Sequence, residues 1–151
     1  MKKIKLSLLE VYELDVELKG FVNQSTGEKL SKGLLEEKLT IVTKYKLSDL
    51  ADKVEKEIVK INGFKEELIK TLGTVDEEGN IGIPLRINQT YNEDGSLDKW
   101  DINPVFNEYN AQLSELLQQE IEFDFNEVAV EDINVETEVY PKILFKIINQ
   151  N

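Results

Sequence analysis

The sequence predicts a single α+β domain, residues 1–151, that is mainly helical. It combines an antiparallel helix pair, a small antiparallel β-meander that caps the pair, and a short acidic strand region near the C-terminus. Two long stretches carry apolar residues three or four apart, as on one face of a helix. Between them, strict apolar–polar alternation flanked by turn residues predicts strands. The 151 residues suffice for one domain with a real core.

The N-terminal segment predicts a short strand near 3–6 and a helix at about 8–19. Ser7 and Glu10 have the Ser-x-x-Glu spacing of a capping box, in which each side chain accepts a hydrogen bond from the other residue's backbone. Gly20 is placed to end this helix in a left-handed cap. Alternating apolar residues in the same segment also fit a longer strand.

A helical pattern then runs over residues 34–72. Unbroken, this helix would be ~58 Å long, which is long for a domain of this size. We therefore expect a break, with helices at about 34–46 and 48–72. Asn62 and Gly63 mark a kink, because glycine costs about 1 kcal/mol relative to alanine inside a helix.

The β-meander is predicted from residues 81–87, which alternate strictly, and from a partner strand at 97–102. Pro84 has no amide hydrogen to donate, so the first strand is expected at an edge or to contain a bulge. Trp100 is expected to pack into the core beneath the helices. The alternative is that Trp100 and Tyr91 are interface anchors.

Asn103 and Pro104 predict the start of a second helix, since asparagine caps helices well and proline fits the first helical position. This helix should end near Gln119. The remaining segments predict an acidic-faced strand at 121–126, a short strand at 128–130, a turn or one-turn helix at 131–133, and a final helix from Pro141.

Composition excludes several function classes. The chain has no cysteine and no histidine, which removes thiolate and imidazole chemistry and the usual zinc and copper sites. It has no glycine-rich phosphate loop, no signal peptide is expected, and no apolar run approaches ~18 residues. We expect a non-enzymatic protein with no cofactor. The net charge of −12 opposes direct binding to nucleic acid or anionic membranes.

The negative charge is concentrated in residues 100–141, which contain no lysine or arginine. Eleven of the 30 acids lie there, and the other 19 nearly balance the 18 bases of the chain. The predicted helix in the first part of this stretch contains only two of the acids, Glu108 and Glu115. The predicted partner-binding residues are therefore the acids that follow this helix. They are Glu120, Glu122, Asp124, Glu127, Glu131, Asp132, Glu136 and Glu138.

These acids have two interpretations, and the sequence does not favour either of them. A base-free acidic surface can imitate nucleic-acid phosphate and occupy a basic groove on another protein, with fast and salt-sensitive association. Alternatively, the charge only keeps the surface solvated. Glu120, Glu122 and Asp124 are also spaced like Mg²⁺ or Ca²⁺ ligands, but a solvated strand face is favoured and no metal is predicted.

The order of several segments resembles a family of small proteins of tailed bacteriophages and prophages that has no assigned chemistry. The resemblance spans most of the chain, from residue 6 to residue 141, and the segments that carry it are LSLLEVYEL at 6–14, LSDLADK at 47–53, EGNIGIP at 78–84, INPVF at 102–106, VET at 135–137 and Tyr140-Pro141. The resemblance implies a phage origin and action through partners, and it supplies no catalytic residues.

Together these observations predict a phage-encoded protein in the cytoplasm of the bacterial host. Its partner would be a host or phage protein with a basic groove, such as a nucleic-acid-handling or defence protein that it inhibits. The alternative is a structural or assembly component of the virion, whose contacts would be apolar and symmetric.

Overall fold

The computed structural model describes residues 1–133 and 140–150 and confirms the α+β prediction. The described helices are α1 (Leu8–Lys19), α2 (Ile41–Leu72), α3 (Pro104–Leu117) and α4 (Lys142–Ile148). The strands are β1 (Lys2–Ser7), β2 (Gly20–Val22), β3 (Lys29–Lys32), β4 (Thr74–Val75), β5 (Ile81–Gly82), β6 (Arg86–Tyr91), β7 (Leu97–Ile102) and β8 (Glu120–Phe125). They pair antiparallel, two at a time: β1 with β8, β2 with β3, β4 with β5, and β6 with β7.

The chain forms two compact units. Unit 1 comprises Met1–Val59 and Leu117–Asn151, and unit 2 comprises Lys60–Leu116. Unit 1 contains the hydrophobic core, to which β1, α1, the first part of α2, β8 and α4 all contribute. Its fully covered side chains include Ile4, Leu14, Leu18, Leu47, Leu50, Phe125, Leu144 and Ile147.

The predicted strand and helix at the N-terminus are confirmed. Ser7 Oγ accepts a hydrogen bond from the Glu10 amide at 3.2 Å, and the Ser7 amide donates to Glu10 Oε1 at 3.1 Å, so the capping box forms as predicted. Gly20 follows α1 as its C-cap, and its amide donates a hydrogen bond to the Val16 carbonyl; its φ of 91° lies in the region that favours glycine, but its ψ of 176° is not that of a left-handed helical residue. It begins β2 directly instead of closing the helix in a left-handed cap.

Replacing Ser7 with alanine should remove this cap and lower the free energy of unfolding by about 1 kcal/mol. Urea denaturation of both proteins measures the difference. Ser25→Ala, in an exposed turn, is the matched control and should change stability by less than about 0.5 kcal/mol. Equal effects of the two substitutions would contradict the assignment of Ser7 as the cap.

The predicted break in the long helix is wrong. Leu34–Glu36 forms a separate 3-10 turn, and α2 is continuous from Ile41 to Leu72. Thr40 Oγ1 accepts from the Thr43 amide at 3.3 Å, which caps the helix at its observed start. Gly63 lies at an open position of the helix, and its cost of about 1 kcal/mol does not interrupt the hydrogen bonds on either side.

The predicted strand at 81–87 is also wrong, because Pro84 separates two short strands that belong to different hairpins. β5 turns back onto β4, through a turn in which Asp76 Oδ1 accepts from the amides of Glu78 and Asn80, both at 2.9 Å. β6 pairs with β7 through a turn in which Asp94 accepts from the Ser96 amide at 2.9 Å. The partner strand predicted at 97–102 is confirmed as β7, and two two-stranded hairpins form where one small meander was predicted.

The boundary at Asn103 is confirmed. Its Oδ1 accepts from the Val105 amide at 3.1 Å, and its Nδ2 donates to the Pro84 carbonyl at 2.9 Å, so one side chain caps α3 and ties it to the preceding segment. The strand at 121–126, the one-turn helix at 131–133 and the final helix are observed as β8, a 3-10 turn over Val130–Ile133, and α4. The strand predicted at 128–130 does not form.

Candidate interaction surfaces

The acidic face of β8 lies beside lysines that the sequence pattern did not associate with it. In the antiparallel register, Lys3 is opposite Asp124 and Lys5 is opposite Glu122. Lys3 Nζ also lies 3.6 Å from a carboxylate oxygen of Glu122. Glu120, opposite Ser7, is exposed. Part of the negative charge on this face is therefore balanced by β1, from the other end of the chain.

The acids after β8 also have basic neighbours. Lys46 Nζ donates to the Glu127 carbonyl at 3.0 Å, and Glu127 and Asp132 line a cleft of about 420 Å³ together with Lys2 and Lys46. Glu131 is exposed on the 3-10 turn. The structure thus brings Glu122 and Asp124 together on one strand and Glu127 and Asp132 together at one cleft.

Two of the eight predicted partner-binding residues, Glu136 and Glu138, lie outside the described residues. The other six do not form a surface free of bases. Lys53 Nζ adds a further contact, donating to the Asp124 carbonyl at 2.8 Å. The sequence pattern did not predict that lysines lie beside these acids. Their proximity follows from the pairing of β1 with β8, which no local pattern reveals.

Unit 2 differs from unit 1 in how little of it is covered. Ile61 and Asn103 are the two buried residues in Lys60–Leu116. No residue of α3 is buried, although its apolar side chains follow a helical stripe. Two-stranded hairpins are marginal unless an apolar face packs on something else. The apolar side chains of α3 are half-buried, and the large apolar side chains that unit 2 exposes lie outside α3, at Phe64 of α2 and in the segment of residues 75–102.

Unit 2 contains a groove of about 530 Å³ between the end of α2 and α3. Its apolar lining consists of Phe64, Leu68, Leu72, Leu113 and Leu116, with Lys65 and Glu67 on the α2 wall and Glu108 on the α3 wall. Phe64 is 58% exposed. These apolar residues lie three or four positions apart on each helix, the pattern that receives another helix or a large apolar side chain.

The hairpin of β6 and β7 also exposes apolar side chains. Trp100 is 40% exposed, so the prediction that it lies in the core is wrong, and the interface alternative is the one compatible with its position. The Arg86 guanidinium lies 4.9 Å from the centre of the Trp100 ring, in cation–π range. Tyr91 and Ile102 are exposed on the same hairpin. An alternating pattern alone does not tell whether either face of a hairpin is covered.

Unit 1 contains a buried carboxylate whose pKa is shifted. Glu17 is buried, and its carboxylate accepts hydrogen bonds from the amides of Ile143 and Leu144 at 2.8 and 3.0 Å. Burial raises the pKa of Glu17, against the opposing effect of these amide donors. Its two oxygens are occupied by the start of α4, so this carboxylate holds a helix in place and has no open side for a substrate.

The described acids do not assemble into a metal centre. In residues 1–133 and 140–150, no group of three or more Asp and Glu side chains could hold an ion. No helix in these ranges is long and apolar enough to span a membrane. No protein-family model, curated protein or solved structure matches the chain.

Proposed function

We propose that this chain is a non-enzymatic phage protein that acts by binding other proteins, and that the apolar surface of unit 2 is its binding surface. The phage origin rests on the family resemblance of its segments. The single observation that carries the binding function is the set of large apolar side chains that unit 2 exposes: Phe64, Val75, Ile81, Leu85, Tyr91, Trp100 and Ile102. Apolar patches left open in this way commonly mark protein-binding sites.

Of the two predicted modes of action, this surface favours an assembly component of the phage particle. Such a protein makes apolar contacts with neighbouring subunits, and five apolar side chains line the groove between α2 and α3, of which Phe64 is exposed and the four leucines are half-buried. Inhibition through an acidic surface is the weaker candidate. Lys3 and Lys5 lie opposite acids of β8, which reduces the field that would steer a basic partner.

A salt-titrated capture experiment tests the binding surface. The wild-type chain, Phe64→Asp and Tyr45→Asp are used as baits in lysate of infected host cells. Tyr45 is the matched control, because it is an aromatic residue of the same helix, 74% exposed, and it belongs to unit 1. Proteins held by the wild type and by Tyr45→Asp should remain bound in about 1 M salt, where exposed charges are screened within ~3 Å, and Phe64→Asp should lose them.

Two outcomes would contradict the proposal. If the complexes dissociate in high salt and Phe64→Asp does not weaken them, the acidic residues and not unit 2 form the binding surface. Absence of any captured protein would remove the binding function. For the assembly mode, mass spectrometry of purified particles should find the chain at stoichiometric copy number, and its absence there would exclude that mode.

A further inference from the structure

We infer that unit 2 opens and refolds as a separate cooperative unit while unit 1 stays folded, and that each opening unwinds α2 from its end back to Gly63. The protein then has an order–disorder transition in residues 63–116 in addition to global unfolding. This transition follows from how side chains are buried within the chain, so it requires no partner and does not rest on the proposed function.

The two units differ in how much apolar surface they bury. In the described ranges 1–133 and 140–150, every buried apolar side chain belongs to unit 1 except Ile61. The parts of a protein open with free energies between nearly zero and that of global unfolding, and parts with few buried apolar contacts open most readily. Unit 2 therefore opens under conditions that leave the core of unit 1 intact.

α2 shows the same difference within a single helix. Its part in unit 1 buries the side chains of Thr43, Leu47, Leu50, Ala51 and Val54. In residues 62–72, all of which the structure describes, no side chain is buried. Gly63 lies in this part with nothing within 4 Å of a Cβ placed on it, and only proline is less favourable than glycine in a helix interior. The helix is therefore weakest at Gly63, and its folded part ends there when unit 2 opens.

The other elements of unit 2 are of kinds that are marginal by themselves. β4–β5 and β6–β7 are two-stranded hairpins, and none of their strand residues is buried in this fully described part of the chain. Such hairpins are at best marginally stable in water. α3 has 14 residues, and isolated helices shorter than about 12–15 residues are marginal as well.

The contacts that keep unit 2 folded are few. Asn103 caps α3 and donates to the Pro84 carbonyl at 2.9 Å. The groove between α2 and α3 adds half-buried leucines: Leu68, Leu72, Leu113 and Leu116. These contacts join elements of unit 2 to one another, so they are lost together. The opening of unit 2 is therefore cooperative and does not proceed one element at a time.

Native-state hydrogen exchange of the full chain, followed by NMR, tests this inference. Backbone amides of β6, β7 and α3 should be protected at least about a hundredfold less than those of α1 and β8. With added urea, the amides of residues 64–72 should follow those of α3, and the amides of the first part of α2 should follow those of α1. One common dependence on urea for the amides of both units would overturn the inference.

Trp100 provides an optical measurement of the same transition, because it is the one tryptophan of the chain and belongs to unit 2. α1, α4 and the longer part of α2 belong to unit 1, so they dominate the circular dichroism of the helices. In urea, the fluorescence of Trp100 should change at a lower concentration than the main loss of helical circular dichroism. Coincident transitions would contradict the separate opening of unit 2.

A matched pair of substitutions assigns the two transitions. Leu113→Ala, in the groove of unit 2, should move the Trp100 transition to lower urea and leave the main transition in place. Ile4→Val, at a fully buried position of unit 1, should do the reverse. If Leu113→Ala moves both transitions by the same amount, the chain is one cooperative unit and the inference is wrong.

Gly63→Ala keeps the test decisive even if Leu113→Ala prevents unit 2 from folding. Alanine fits the open position of Gly63 and favours the helix, so the variant should be at least as stable as the wild type. Since Gly63 is helical only while unit 2 is folded, the Trp100 transition should move to higher urea and the main transition should not move. A shift of the main transition instead would place Gly63 in the folding unit of unit 1 and overturn the proposed boundary.

Discussion

Glu17→Ala is expected to lower the free energy of unfolding by about 3 kcal/mol. The carboxylate of this buried residue accepts from the Ile143 and Leu144 amides, and the residue before α4, Pro141, provides no side-chain cap. Alanine would leave two amides without an acceptor inside the protein, and each unsatisfied buried group costs about 1–3 kcal/mol. Urea denaturation monitored by circular dichroism measures the loss.

Glu17→Gln is the conservative comparison, since it retains one acceptor oxygen and should cost about 1–2 kcal/mol at neutral pH. Its stability relative to the wild type should depend on pH. Burial raises the pKa of Glu17 above its ordinary value of 4.5, so the folded protein binds this proton more tightly than the unfolded chain. The contribution of this proton to stability is fully present below the pKa that Glu17 has in the unfolded chain. It is lost as the pH rises through the higher pKa that Glu17 has in the folded protein.

Relative to Glu17→Gln, the wild type should therefore gain stability as the pH falls from 7 towards 4.5. The measurement is a pair of urea titrations at each pH. A difference between the two proteins that stays constant over this range would contradict the role of burial. An alanine variant as stable as the wild type would contradict the role of Glu17 as the cap of α4.

Phe125→Ala should have an effect of similar or larger size, a loss of about 3–5 kcal/mol. The ring is 1% exposed and anchors β8 in the core of unit 1, opposite Lys2 of β1. The neighbouring substitution Asp124→Asn is the matched control, because Asp124 points to the exposed face of the same strand. It should change stability by less than about 0.5 kcal/mol.

The same two substitutions also distinguish the buried face of β8, which stabilises the fold, from its acidic face, which was predicted to bind a partner. If Asp124→Asn destabilises the protein as much as Phe125→Ala, the assignment of the two faces of the strand is wrong. If Asp124→Asn leaves stability unchanged and abolishes partner capture, the acidic face is the binding surface and the assignment to unit 2 is overturned.

The elements that could be predicted from the sequence are those determined by neighbouring residues. The pairs Ser7–Glu10 and Asn103–Pro104 each predict the start of a helix. The capping hydrogen bonds at these starts join residues only two or three positions apart, Ser7 with Glu10 and Asn103 with Val105. The alternation that ends at Phe125 predicts β8 equally well. Local chemistry is sufficient in these three places because each hydrogen bond or face is completed within one element.

The errors have a different origin. Gly63 lowers helix propensity, but continuous hydrogen bonding along α2 outweighs a single residue's cost. The lysines of β1 reach the acids of β8 only through strand pairing across more than a hundred residues. For Trp100, the pattern identifies an apolar strand residue and contains no information on whether another element covers it.

The candidate binding surface belongs to the second group. The apolar stripe of α3 is visible in the sequence and predicts an amphipathic helix, which is normally covered by its own chain. That no residue of α3 is buried is a property of the tertiary structure alone. The sequence therefore identifies the apolar residues of α3 but not that they are only half-buried.

Hydroxyl-radical footprinting of dilute protein tests the central claim, that the chain leaves the unit 2 surface uncovered, most directly. Phe64 is 58% exposed and Phe125 is 1% exposed, so two residues of one type serve as probe and internal reference. Phe64 should be oxidised many times faster than Phe125, and this oxidation should slow as a partner is added. Equal protection of both rings in dilute monomer would contradict the claim.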